Sequence, residues 1–206
     1  MATLTLQPDG TSGKDAYISS SSATTNFGTA TTCSLGVSGK SSTLFTRVLI
    51  EFDISSIPAG TTITSANLSL YASAVAASSE NAAVRRVTQT WTEASATWNT
   101  YDGVNPWPVN GTGGDFTTTD QKLFSLQVAS DPDPHVISLT TLCQDALDNR
   151  SGILSVILMR RTEASPNATW VFLSSDDGTA ATRPKLEIVY PDSGPFGRSR
   201  TRARVR

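Results

Sequence analysis

Every second residue at the end of the chain is arginine: Arg198, Arg200, Arg202, Arg204 and Arg206 alternate with Ser199, Thr201, Ala203 and Val205. In an extended strand this spacing puts all five guanidinium groups on one face. That arrangement suits carboxylates on an acidic protein surface, or phosphates. The bland alternative is a solvated tail. Elsewhere the chemistry is sparse. There is one histidine, His135, so a nucleophile–base pair has little to build on. Carboxylates pair in sequence at Asp131/Asp133 and Asp176/Asp177, but among turn-forming neighbours, where simple turn chemistry explains them. The same groups could hold a structural calcium, yet the D-x-[DN]-x-[DN]-G loop is absent, and no cofactor and no metal site is expected. Cys33 and Cys143 cannot make a zinc site alone and are expected to be buried free thiols.

Two aromatic groups could meet a sugar ring. Trp91, Glu93 and Trp98 combine stacking faces with a carboxylate, although packing of both indoles and a structural role for Glu93 explain them as well. Trp107 stands between Pro106 and Pro108 in a Gly-rich stretch, where core packing is harder to arrange. With Tyr101 it is the candidate glycan-stacking pair. No Gly-x-Ser-x-Gly elbow or phosphate loop is present, and the chain is expected not to be an enzyme.

The elements that must position these residues are strands. Charged residues are 17% of 206 and hydrophobic ones 38%, too apolar for a disordered chain and too poor in Glu, Lys and Arg for a helical bundle. Period-two alternation recurs at 2–6, 15–18, 44–54, 63–71, 84–90, 122–128, 135–139, 152–160, 169–174 and 185–190, separated by Gly, Pro, Asn and Asp. Only 140–149 has helical spacing, with Ser151-Gly152 as its stop. Residues 103–120 read as a long loop. The expected fold is all-β: an antiparallel β-sandwich of jelly-roll type over residues 1–190, with one short helix, followed by an extended arginine-rich arm over 191–206. No apolar run is long enough to span a membrane, and no basic-then-apolar leader opens the chain. The net charge of −2 hides an asymmetry. Without the five terminal arginines, 11 basic residues face 18 acidic ones, leaving the body at about −7, which argues against a nucleic-acid partner.

Several segments carry a resemblance. Asp15-Ala16-Tyr17-Ile18 is followed by Asn26-Phe27-Gly28. Next comes the run from Arg47, RVLIEFDISSIPAGTTITSANLSLY. Then Val84-Arg85-Arg86-Val87-Thr88 leads to Trp91-Thr92-Glu93 and Thr97-Trp98-Asn99. Last are Phe172-Leu173-Ser174-Ser175, Arg183-Pro184-Lys185-Leu186 and Ile188-Val189-Tyr190. In this order they resemble the DNRLRE domain, a carbohydrate-binding-module-like β-sandwich family. The resemblance implies a non-catalytic module of the kind found in secreted or surface-attached multidomain proteins, some of them polysaccharide-binding.

The arm and the missing leader set one expectation: a bacteriophage virion structural protein made in the host cytoplasm. It would be a capsid decoration (cement) protein or a tail or fibre component, forming a homo-oligomer and clamped by its arginines to an acidic patch on a capsid or tail protein. The other expectation is a polysaccharide-binding module of a secreted or surface protein, extracellular, holding a surface glycan through Trp107 and Tyr101.

Overall fold

A computed structural model describes residues 1–39, 43–76, 79–126, 134–163 and 167–192. Twelve strands and one α-helix follow in chain order: β1 (Ala2–Leu6), β2 (Asp15–Ser19), β3 (Thr32–Ser38), β4 (Leu44–Asp53), β5 (Ser65–Leu70), β6 (Ala72–Ala74), β7 (Glu80–Val87), β8 (Phe116–Leu126), β9 (His135–Ser138), α1 (Thr140–Asn149), β10 (Ile153–Arg160), β11 (Ala168–Leu173) and β12 (Lys185–Tyr190). All described pairings are antiparallel. The smaller sheet has the order β1-β12-β5-β9. The larger runs β6-β11-β3-β4-β10-β7-β8, with β2 also paired to β4. The chain passes repeatedly between the two sheets, and the fold is the all-β antiparallel sandwich expected from the alternation, with a single α-helix. The terminal arginines lie outside the described residues, as do Asp131 and Asp133.

Alternation fixes which face of each strand is buried. Val48, Ile50 and Phe52 of β4, Leu154, Val156 and Leu158 of β10 and Trp170 and Phe172 of β11 meet Ala66, Leu68, Leu70, Leu186 and Ile188 of the smaller sheet in one core. Leu142, Cys143, Ala146 and Leu147 of α1 join the same core. The helix stops where the amides of Arg150 and Gly152 both turn back to the Ala146 carbonyl. Gly152 there adopts φ +82°, a left-handed conformation that glycine takes without penalty. Both cysteines are free and buried.

The larger sheet is covered on its outer face too. Leu49, Val87 and Ile157 point away from the first core and pack with Ala16, Ile18, Trp91, Ala96 and Trp107 in a second one. The segment between β7 and β8 therefore folds back over the sheet. This explains why β10 is apolar on both faces instead of alternating. The stretch expected to be loop as far as 120 becomes strand at Phe116, where β8 adds to β7.

Candidate functional site

Trp107 does not reach the surface. It is 1% exposed, packs in the second core, and donates its indole N–H to the Thr97 carbonyl at 3.1 Å. The Pro-flanked loop is closed by antiparallel bridges, Thr100 to Pro106 and Trp107 to Gly111, which turn the indole inward. A sugar-stacking platform needs an open ring face, so Trp107 is a packing residue in this structure. Tyr101 is half-buried and meets Trp107 edge-on at 6.1 Å. Trp91 is also buried, donates to Ser155 Oγ at 3.0 Å, and carries the Lys14 ammonium 4.8 Å from its ring centre. Trp98 is half-buried under the Arg47 guanidinium at 4.9 Å, and Arg47 is held in turn by Glu163 and the Gly113 carbonyl. Both tryptophans of the Trp91/Trp98 pair thus have structural partners. His135 stands edge-on to Phe172.

Glu93 has the structural role that the sequence left open beside a sugar-binding one. Its Oε1 accepts the Asp15 backbone N–H at 2.8 Å. Asp15, at the first position of β2, is 3% exposed. Its Oδ2 accepts the Ser175 N–H at 2.8 Å, while its Oδ1 has no hydrogen-bond partner. Asp176 follows Ser175. One carboxylate oxygen from each of Asp15, Glu93 and Asp176 lies within 4.8 Å of the others. Burial pushes the Asp15 carboxyl up to about 6, against the Ser175 amide and with help from the Asp176 charge. Burial also raises Glu93, with the charges of Asp15 and Asp176 adding to it, and raises Asp176 against the pull of Arg183. These are three acids gathered where ionisation is disfavoured.

The backbone around the acids is built for close approach. Asn26 Nδ2 donates to the carbonyls of Glu93 and Ala96 at 2.7 and 2.8 Å. Gly28 lies so near that a Cβ there would stand 2.1 Å from the Glu93 oxygen, and a Cβ on Gly10 would stand 2.2 Å from Asp176 Oδ1. Tyr17 stacks on Phe27 at 4.1 Å and fixes the same loop. No adjacent-pair motif marks this cluster. The available signal was that three separate motif segments each bring an acid or its amide anchor: Asp15, Glu93 and Ser175. Asp177, by contrast, does what the turn reading expects, accepting from the Thr179 amide and the Thr182 hydroxyl.

Glu51 of β4 lines two open clefts, the second also bounded by β1 of the smaller sheet. One, of about 310 Å³, is lined by Glu51, Val87, Thr88, Gln89, Thr90, Arg150, Ile153 and Ser155. The other, of about 320 Å³, is lined by Thr5 to Pro8, Ser12, Glu51, Phe52 and Asp53. Neither contains a member of the acidic cluster. Glu51 is pinned by Lys14 at 2.7 Å, and Arg150 by Asp145 at 2.7 Å. Hydroxyls, amides and fixed charges over an apolar floor form a surface that can bind a polar ligand.

The model of carbohydrate-binding module family 96 matches residues 8–108, from the loop before β2 through the segment that carries Trp107. Over these residues, just under half of the chain, it is similar to a carbohydrate-binding module, and the motif resemblance is supported to that extent. No curated protein matches the chain.

Proposed function

We propose that this protein is a non-catalytic polysaccharide-binding module that receives its glycan in the clefts meeting at Glu51. The observation that carries this reading is the family match over residues 8–108, laid on an antiparallel sandwich. A polysaccharide needs an open track, and two clefts sharing one residue offer a track longer than a single sugar. Gln89, Thr88, Thr90 and Ser155 supply neutral donors and acceptors matched to hydroxyls, and Arg150 supplies a fixed fork. Binding follows from these polar contacts, since the candidate stacking residue Trp107 is buried.

The virion reading is the rival, with an acidic capsid or tail partner, a homo-oligomer and a virion location. It rests on Arg198, Arg200, Arg202, Arg204 and Arg206, outside the described residues, and the family match favours the glycan. One experiment separates them: the full chain, Gln89→Ala, and a variant with all five arginines replaced by alanine are tested on a polysaccharide array. The glycan reading expects Gln89→Ala to weaken binding about tenfold, the equivalent of about 1.4 kcal/mol, and the arginine variant to bind as the parent does. Absence of binding to every polysaccharide at millimolar concentration, or loss only in the arginine variant, overturns it.

A further inference from the structure

We infer that the protein holds one Ca²⁺ ion between Asp15, Glu93 and Asp176, as a staple joining three separate segments of the sandwich. Three observations carry this.

The first is the disposition of the oxygens. Ca²⁺ takes six to eight oxygen ligands at about 2.3–2.6 Å, so oxygens on opposite sides of it stand about 5 Å apart. The three carboxylates each offer an oxygen within 4.8 Å of the others. Mg²⁺, with ligands at about 2.0–2.1 Å in a strict octahedron, spans only about 4 Å and fits less well.

The second is the orphaned oxygen. Asp15 is 3% exposed and its Oδ1 has no partner. A buried carboxylate ordinarily has an ion pair or a full set of donors. Among the described residues, no ion pair includes Asp15, Glu93 or Asp176, and Lys14 is committed to Glu51. The cluster is therefore one buried and two half-buried acids with no cation in contact. A bound divalent ion supplies the missing charge.

The third is how the acids are aimed. Ser175 N–H holds Asp15 by Oδ2, and Asp15 N–H holds Glu93 by Oε1. Each amide fixes a carboxylate by one oxygen. For Asp15 it leaves Oδ1 without a partner. Gly10 and Gly28 let the loops before β2 and β3 come close enough to Asp176 and Glu93 to enclose them. The ion would tie the start of β2, the segment after β7 and the turn after β11, residues 160 apart in sequence at Asp15 and Ser175.

The test uses the full chain. Calcium content is measured by elemental analysis as purified. The protein is then stripped with EDTA, and Ca²⁺ alone is added back while melting temperature is followed. Tb³⁺ luminescence, excited through tryptophan, reads occupancy directly, since Trp91 is two residues from Glu93. At a hundredfold excess over its dissociation constant, Ca²⁺ should raise the melting temperature by about 5–10 °C. Glu93→Gln and Asp176→Asn should abolish both the shift and the Tb³⁺ signal, and Asp192→Asn, at an exposed position, should keep them. Asp15→Asn should remove the response while melting, metal-free, no lower than the stripped parent. No calcium in the purified protein, together with no Tb³⁺ signal and no shift with millimolar Ca²⁺, overturns the proposal. An equal shift with Mg²⁺ overturns the assignment to calcium.

Discussion

Replacing Trp107 by alanine separates a packing role from a binding one. The indole is 1% exposed in the second core, its N–H is bonded to the Thr97 carbonyl at 3.1 Å, and Tyr101 meets it edge-on. Truncating a buried tryptophan to alanine removes that apolar area and leaves a cavity, at a cost of about 3–5 kcal/mol. For a chain of this size each kcal/mol lowers the melting temperature by about 2–4 °C, so Trp107→Ala should melt about 6–20 °C below the parent. Trp107→Phe keeps most of the ring and strands only the Thr97 carbonyl, which costs about 1–3 kcal/mol and a correspondingly smaller shift. The assay is differential scanning calorimetry of the three proteins in one buffer. Below the variant's transition, its affinity for any glycan the parent binds should match the parent's. A Trp107→Ala protein that melts within about 2 °C of the parent but loses its glycan would refute the burial argument and return the indole to the surface.

Three further outcomes follow from local geometry. Burial pushes the Cys33 thiol well above the ordinary range and Cys143 up to about 12, so neither should react with a thiol reagent at pH 8 in the native state. Both should titrate after denaturation without reductant, and a count of zero there would show a disulfide. Asn26→Ala removes two hydrogen bonds to the Glu93 and Ala96 carbonyls. It should cost about 2 kcal/mol in urea unfolding, and an unchanged midpoint would discount Asn26 as the brace of that segment. Partial burial opposes ionisation of Asp145, but hydrogen bonds from Arg150 and Asn149, with the Arg150 and Arg86 charges, outweigh it and hold the group below its ordinary value. A depressed carboxyl stabilises the fold above its unfolded value and loses that effect as pH falls through its folded one. Asp145→Asn should therefore cost up to about 1 kcal/mol at pH 7 and progressively less as pH falls through the folded carboxyl's titration, and a gap undiminished in acid would contradict the ion-pair account.

Local pattern made much of the fold legible. The helix at 140–149 was readable because Leu142, Ala146 and Leu147 fall on one face, and Ser151-Gly152 stops it. Strands with one buried face, such as β1, β5 and β12, announce themselves by alternation. Strand β3 falls outside the alternating stretches although Cys33 and Leu35 alternate with polar residues, because Gly36 interrupts the pattern. The reason for the glycine is tertiary: a Cβ there would stand 2.3 Å from the Ala168 carbonyl of the neighbouring strand. Trp107 was misplaced for a related reason. Prolines and glycines signal a loop, but a loop that covers a sheet face has a buried side, and only the second core shows it.

The acid cluster was out of reach for a different cause. Reading carboxylates by adjacency joins Asp176 to Asp177, yet the fold separates them, sending Asp177 into its own turn and Asp176 to Asp15 and Glu93. The three family-like segments that looked independent along the chain are one construction in space. Asn26 braces the carbonyl of Glu93, Gly28 lets its own backbone touch that residue, Glu93 accepts from the amide of Asp15, and Asp15 accepts from the amide of Ser175. Each link runs through a backbone group, with the acids, the asparagine and the glycines as its side-chain requirements. A chain of that kind leaves short, scattered signatures, and it makes the cluster and the strand geometry around it stand or fall together. Substituting Gly28 by alanine would drive the Glu93 carbonyl away and disturb Glu93's bond to Asp15, although residue 28 offers no side chain to the cluster at all.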